Sequence, residues 1–210
     1  DVGRMLPCRA EWVCDKNKDL ESVYMTKGQL STVLSKNAEP TRRDEDVYSV
    51  IRLAFFAGDM PPCGWRTYYL LPGESGFDPV YADGNTMRNE LLEVVLNPDG
   101  TFDITDRTSG KTCPGLNRFV DREAIGDAYD HKEADDPHEI LSSCAGWKLT
   151  LNDEVEARAE AKIRVGGRAE AALAVSVLRG CPEVRVRLTI RNLAPDHCLR
   201  AFFPGEGELS

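Results

Sequence analysis

No stretch of this 210-residue chain approaches the roughly twenty consecutive apolar residues that a helix needs to cross a bilayer, so no membrane partner is expected. Basic residues are in deficit: 26 Lys+Arg stand against 35 Asp+Glu, a net charge of −9. Phosphate backbones repel such a chain, and nucleic acid is not an expected partner. Arg185, Arg187 and Arg191 form a local basic exception and are read as solvated surface. The seven cysteines (Cys8, Cys14, Cys63, Cys113, Cys144, Cys181 and Cys198) include no Cys-x-x-Cys pair, which excludes the usual spacing of a structural zinc site. Their number is odd and their spacing scattered, and a chain this long builds a core without disulfides. Mostly free thiols and a cytoplasmic, reducing location are expected, with a Cys8–Cys14 bridge left open. Gly-x-Ser-x-Gly is missing, and Gly166-Gly167 is not followed by Lys-Ser/Thr, so neither a hydrolase nucleophile elbow nor a phosphate loop is present. There is no signal-peptide pattern, repeat or low-complexity tract. The first residue is not methionine, and the chain is expected to be a piece of something longer.

What the sequence does contain is alternation. Leu92, Val94 and Leu96 alternate with Leu91, Glu93 and Val95, the period of a strand. Asn97-Pro98-Asp99-Gly100 supplies turn formers in order, and Phe102 and Ile104 resume the apolar face. Residues 106–110 read as a second turn. Residues 155–165 set propensity against pattern: Ala and Glu favour helix, yet Val155, Ala157, Ala159, Ala161, Ile163 and Val165 alternate strictly with charged residues. On a helix this smears apolar side chains around every face, and on a strand it gives one dry face, so a strand is predicted. Gly166-Gly167 then turns the chain into a returning strand at 168–178. In 184–190, Val184, Val186, Leu188 and Ile190 are predicted inward, and Arg185, Arg187 and Thr189 outward. Residues 147–151 read as a short strand. Upstream, 9–13, 20–25, 29–34, 47–56 and 65–71 read as strands, the last two joined across 58–64, where Pro61-Pro62 cannot donate to a ladder. Residues 35–46 are polar and read as a loop. The fold class is therefore all-β: a small β-sandwich at 1–72, a Gly/Pro-rich linker at 73–88, and the first part of a large antiparallel β-sandwich at 89–210.

Several of these stretches carry a resemblance. NELLEVVLNPDGTFDITDRTSGK (89–111), followed by GLNRFVD (115–121) and GDAYDH (126–131), resembles the start of the large β-sandwich domain of family 38 glycoside hydrolases, the α-mannosidases. MPPCGWRTYYL (60–70) resembles the strand that precedes that domain. The strand 184–190, with Arg191-Asn192 after it, and DHCLRAFFP (196–204) resemble two of its later strands. Order and spacing agree over roughly 47–204. The resemblance implies a galactose-mutarotase-like supersandwich. In the family the nucleophilic aspartate and the zinc ligands lie in an N-terminal α/β domain, whose His-x-His and His-Asp signatures are absent here. It therefore implies no catalytic residue, no metal ligand and no cofactor on this chain, the family's zinc belonging to the absent domain. The implied partners are an α-mannoside and the catalytic domain of the same parent chain.

The candidate site is GDAYDH. Gly126 permits a tight backbone, Tyr129 offers a flat face and a hydroxyl to a sugar ring, and Asp127 and Asp130 accept hydrogen bonds from sugar hydroxyls. In the family the matching loop faces the catalytic pocket, so Asp127, Tyr129 and Asp130 are the expected substrate-binding residues. The alternative is a loop pinned by a structural tyrosine. Asp130, His131, Asp135, Asp136 and His138 have metal-ligand chemistry, but Pro137 and the acidic run favour a solvated loop. His197 beside Asp196 reads as a turn residue with an aspartate partner rather than a catalytic pair. Asn117-Arg118 reads as a sheet-edge turn held by its side-chain hydrogen bonds. The expected function is the non-catalytic β-sandwich portion of an α-mannosidase. A stand-alone carbohydrate-binding or interaction module is the alternative, and a sugar mutarotase a third reading that lacks a placed acid–base pair.

Overall fold

The computed structural model describes residues 6–13, 50–55, 57, 60–69, 76–127, 129–130, 132–134 and 142–204. The chain divides into two compact units, Asp1–Asp78 and Pro79–Ser210.

In the first unit, β1 (Cys8–Val13) pairs antiparallel with β2 (Val50–Phe55), placing Cys8 opposite Phe55 and Val13 opposite Val50. The strand predicted at 65–71 does not form over its described part, 65–69. Pro61-Pro62 starts a turn, closed by Gly64 N–H donating to Pro61 O at 3.2 Å. Beyond it Trp65 and Tyr69 are both more than four-fifths exposed, so the segment has no dry face to pair over. Tyr68 instead packs edge-on against Phe55, ring centroids 4.9 Å apart. The predicted strands at 20–25 and 29–34 and the loop at 35–46 lie outside the described residues.

The second unit is built from antiparallel strands, with no helix among its described residues. Five strands follow one another across one sheet: β3 (Tyr81–Asp83), β4 (Thr86–Arg88), β5 (Leu92–Leu96), β6 (Phe102–Asp106) and β7 (Thr112–Leu116). Four form a meander: β9 (Ser142–Asn152), β10 (Glu156–Val165), β11 (Ala169–Leu178) and β12 (Val184–Asn192). A two-stranded ribbon joins β8 (Arg118–Glu123) to β13 (His197–Phe202). Residues 81–88, expected within the linker, are instead the hairpin that opens the five-stranded sheet. Met87, 1% exposed, gives that hairpin a core anchor.

Alternation decides the core. Val155, Ala157, Ala159, Ala161, Ile163 and Val165 are all buried, as predicted for a strand. Propensity loses because one dry face removes more apolar surface from water than a helix with scattered apolar positions could. The partner strand complements β10 in size. Ala159 faces Val175 and Ala161 faces Leu173, whereas Ile163 faces Ala171 and Val165 faces Ala169. Small opposite large fills the layer without overpacking. Val94, Leu96 and Phe102 from the other sheet close the cluster. The turn at 97–100 joins the two layers. A Cβ on Gly100, whose φ is +90°, would lie 3.0 Å from Ile163 Cδ1, and Trp147 Nε1 donates to Asn97 O at 2.8 Å. Buried Asn89 adds a polar tie: its amide donates to the carbonyls of Leu178 and Cys181, and its oxygen accepts from Leu91 and Leu92 N–H.

The inward face of β12 is only half formed. Val184 and Leu188 are partly buried, but Val186 and Ile190 are 38% and 46% exposed, contrary to the inward prediction. Alternation sets the face correctly, since Val186 lies opposite buried Val175 and Ile190 opposite buried Ala171. However, β12 is an edge strand, and the opposing sheet covers chiefly β10 and β11. The short strand expected at 147–151 runs instead from 142 to 152, with two register shifts against β10.

Candidate functional site

The ribbon of β8 and β13 carries the loop that contains the predicted site. In their register His197 lies opposite Glu123, Leu199 opposite Asp121, and Phe202 opposite Arg118. One face of the ribbon turns inward. Phe119 is buried in the core, and Asp121 is fully buried. His197 Nδ1 lies 2.6 Å from Asp121 Oδ1, and its Nε2 lies 2.7 Å from Asn192 Oδ1. Asn192 Oδ1 also accepts from Ala194 N–H at 3.2 Å. His197 thus has an aspartate partner as expected, but the partner is Asp121, 76 residues away, and not its neighbour Asp196. Asp196 serves by its backbone: φ is +54°, and its carbonyl accepts from Ala124 N–H.

The opposite face of the ribbon is cationic. Arg122 and Arg200 both reach Glu133: Arg122 donates to Oε2 at 3.0 Å, and Arg200 donates to Oε1. These hydrogen bonds, from Arg122 first and Arg200 second, hold the Glu133 carboxyl below the usual carboxylate range, and Glu133 in turn pushes Arg200 up. Arg118 lies over the Phe202 ring at 5.6 Å.

Between Ala124 and Glu133 the chain makes a closed loop. Ala124 and Glu133 form a bridge pair, Ile125 N–H donates to Lys132 O, Asp127 N–H donates to Asp130 O, and Ala134 N–H donates to Glu123 O. The limbs approach so closely at Gly126 that a Cβ there would sit 2.0 Å from Asp130 O, which only glycine avoids. Asp127 Oδ1 accepts from Tyr129 N–H at 2.8 Å and Asp130 N–H at 2.9 Å, an Asx turn that lowers the Asp127 pKa. One oxygen of Asp127 is therefore committed to shaping the loop. Tyr129 is 99% exposed, and Asp130 is exposed beside it. The structure brings Asp127, Tyr129 and Asp130 into one turn and displays the last two.

The other sequence candidates fare differently. Of Asp130, His131, Asp135, Asp136 and His138, only Asp130 is among the described residues. Among those residues no group of three or more His, Cys, Asp or Glu side chains comes together to hold a metal. Asn117 occupies the turn before β8 with φ +65°, but its buried amide has no hydrogen-bond partner among the described residues. The expected side-chain bracing by Asn117 is thus replaced by a left-handed backbone position, which asparagine tolerates. Glu133, Arg122, Arg200 and Asp121 were not singled out by sequence. Their partners lie 11, 67 and 76 positions away, and no local spacing marks such pairs. Cys63, Cys113, Cys144, Cys181 and Cys198 are free thiols; Cys8 Sγ lies 3.8 Å from Arg9 O, to which it donates, and Cys14 lies outside the described residues.

No family model matches the chain. A curated protein of Halalkalibacterium halodurans named "Putative mannosylglycerate hydrolase" is 25% identical over 154 residues, covering 58% of this chain and 17% of that protein. Among solved structures, an α-mannosidase from Enterococcus faecalis V583 superposes with a TM-score of 0.58 at 16% identity, over 99% of this chain and 25% of that chain. A glycosyl hydrolase family 38 protein from Enterococcus faecalis superposes with a TM-score of 0.54 at 19% identity, over 72% of this chain and 21% of that chain. The resemblance read from the sequence therefore recurs in three dimensions: this chain shares the fold of part of these two proteins and spans no more than about a quarter of their length.

Proposed function

We propose that the chain is the non-catalytic β-sandwich portion of an α-mannosidase that removes terminal α-mannosides in carbohydrate metabolism. In this reading it supports the catalytic domain of the same parent chain and lines one side of the sugar pocket. The catalytic domain, with its nucleophile and zinc, is a separate part of that parent, and the free thiols support a cytoplasmic location. The observation that carries the reading is the loop at 124–134. It is closed at its base, shaped by the Asp127 carboxylate, and holds Tyr129 and Asp130 out to solvent. An exposed ring beside an exposed carboxylate suits a sugar, whose apolar face stacks on the ring while its hydroxyls donate to the carboxylate. Asp127 has its second oxygen for the same purpose.

The test uses the full-length parent enzyme and an aryl α-mannoside. Asp130→Ala should lower kcat/KM by roughly ten- to a hundredfold, the loss expected when a charged hydrogen-bond acceptor is removed. Tyr129→Phe should cost less, because the ring remains. Both variants should keep the parent's Tm within a few degrees. Unchanged kcat/KM with a lowered Tm would mean that the loop is a structural brace. The isolated 210-residue chain should show no turnover, and turnover proportional to this chain would overturn the non-catalytic assignment.

A further inference from the structure

We infer that Glu133 is a positioning residue: with Arg122 and Arg200 it forms a clasp that fixes where Tyr129 and Asp130 are presented. This rests on the reading that the loop meets substrate. Tyr129 is 99% exposed, so its side chain gains almost nothing from packing. Its place is set by the loop backbone alone. That backbone is fixed at the outgoing limb by β8, to which Ala124 is directly continuous. Among the described residues the return limb, 132–134, lies outside every strand. Glu133 supplies the anchor. Its backbone bridges Ala124, while its two carboxylate oxygens go to different strands, Oε2 to Arg122 on β8 and Oε1 to Arg200 on β13. A carboxylate shared by two guanidinium groups is directional, because each planar fork accepts only a narrow range of approach. One side chain therefore ties the return limb to both strands of the ribbon. The described residues of the loop, 125–127, 129–130 and 132, are tied further by the Ile125–Lys132 and Asp127–Asp130 backbone bonds and by the close approach at Gly126.

The Glu133 carboxylate hydrogen-bonds to both strands of the ribbon, so its loss should act through geometry. A displacement of about 1 Å at a positioned group costs up to roughly a hundredfold in rate. The experiment has two arms. In the 210-residue chain, backbone amide chemical shifts of Asp127, Tyr129 and Asp130 are compared between wild type, Glu133→Gln, Glu133→Ala and Arg200→Lys, with Glu170→Gln, in an exposed ion pair on β11, as a control. The three clasp variants should move those loop amides, and the control should not. In the full-length enzyme, Glu133→Gln should lower kcat/KM on an aryl α-mannoside about ten- to a hundredfold, with Glu133→Asp between it and wild type. The Tm should stay near the parent's, and kcat should fall more than KM rises, as expected when a group is misplaced in the transition state. Loop amides that stay in place in Glu133→Ala would overturn the clasp whatever the enzyme does. Loop amides that move while kcat/KM holds would overturn its positioning role. A wild-type parent that does not cleave α-mannosides would sink the functional reading, while the first arm would still decide the clasp.

Discussion

The sandwich interior and the β8–β13 ribbon sit in one unit and are stabilised by different physics. In β10 and β11 the inward pairs are Ala157–Val177, Ala159–Val175, Ala161–Leu173, Ile163–Ala171 and Val165–Ala169, each a small residue opposite a larger one. On the ribbon the fully buried residue is Asp121, joined to His197, and the outer face is held by one glutamate shared between two arginines. Apolar burial is non-directional and tolerates small shifts, whereas hydrogen bonds and guanidinium–carboxylate pairs fix distance and angle. The interior therefore gives stability to a scaffold, and the ribbon gives precision to a loop.

The comparison breaks most visibly in the interior. Phe102→Ala, at a position with no solvent exposure, should destabilise the second unit by roughly 3–5 kcal/mol, read from chemical denaturation. Leu173→Ala should cost about 2–5 kcal/mol by the same measurement. Values well below these would mean that the layers are loosely packed and that the contrast with the ribbon is false. On the ribbon, Asp121→Ala removes the buried hydrogen-bond partner of His197 Nδ1 and should cost about 1–3 kcal/mol. It should also shift the His197 ring resonances in NMR, which a core cavity mutation at Leu173 should not do. At the sheet edge, Ile190→Thr should change stability by only about 0.5 kcal/mol, because Ile190 is already 46% exposed. A large loss there would show that the β12 face is covered in solution.

The smallest effect is the pH dependence of the clasp. Glu133 has a folded-state pKa below its ordinary value of 4.5. Its contribution to stability is therefore present above that ordinary value and is lost as pH falls through the lower, folded value. A carboxyl-detected NMR titration should place the Glu133 midpoint below 4.5, and Glu133→Gln should remove that part of the acid-side loss. A midpoint at or above 4.5 would show that the arginines do not hold the carboxylate in solution.

The two regions also differ in how readily they are read. The strand pattern at 92–96, 102–104, 155–165 and 168–178, and the turn at 97–100, were legible because each depends on neighbours two to four residues away. The loop at 126–130 was legible as a polar, glycine-bearing turn, and Gly126 proves indispensable to its closure. The strand expected at 65–71 failed because β-propensity says nothing about whether a dry face exists to pair over. The inward prediction for Val186 and Ile190 failed because alternation chooses a face, while only the opposing layer decides how far along the sheet that face is covered.

The sequence by itself therefore determined the all-β class, the faces of the central strands and the residues of the displayed loop, since these follow from the local period and backbone conformation. Only the tertiary structure decided that His197 meets Asp121 and that Glu133 joins Arg122 to Arg200. Those pairs form between residues 11 to 76 positions apart, and they exist because the first and last strands of the ribbon are brought side by side. A charge in a sequence carries no record of the partner that the fold will place beside it.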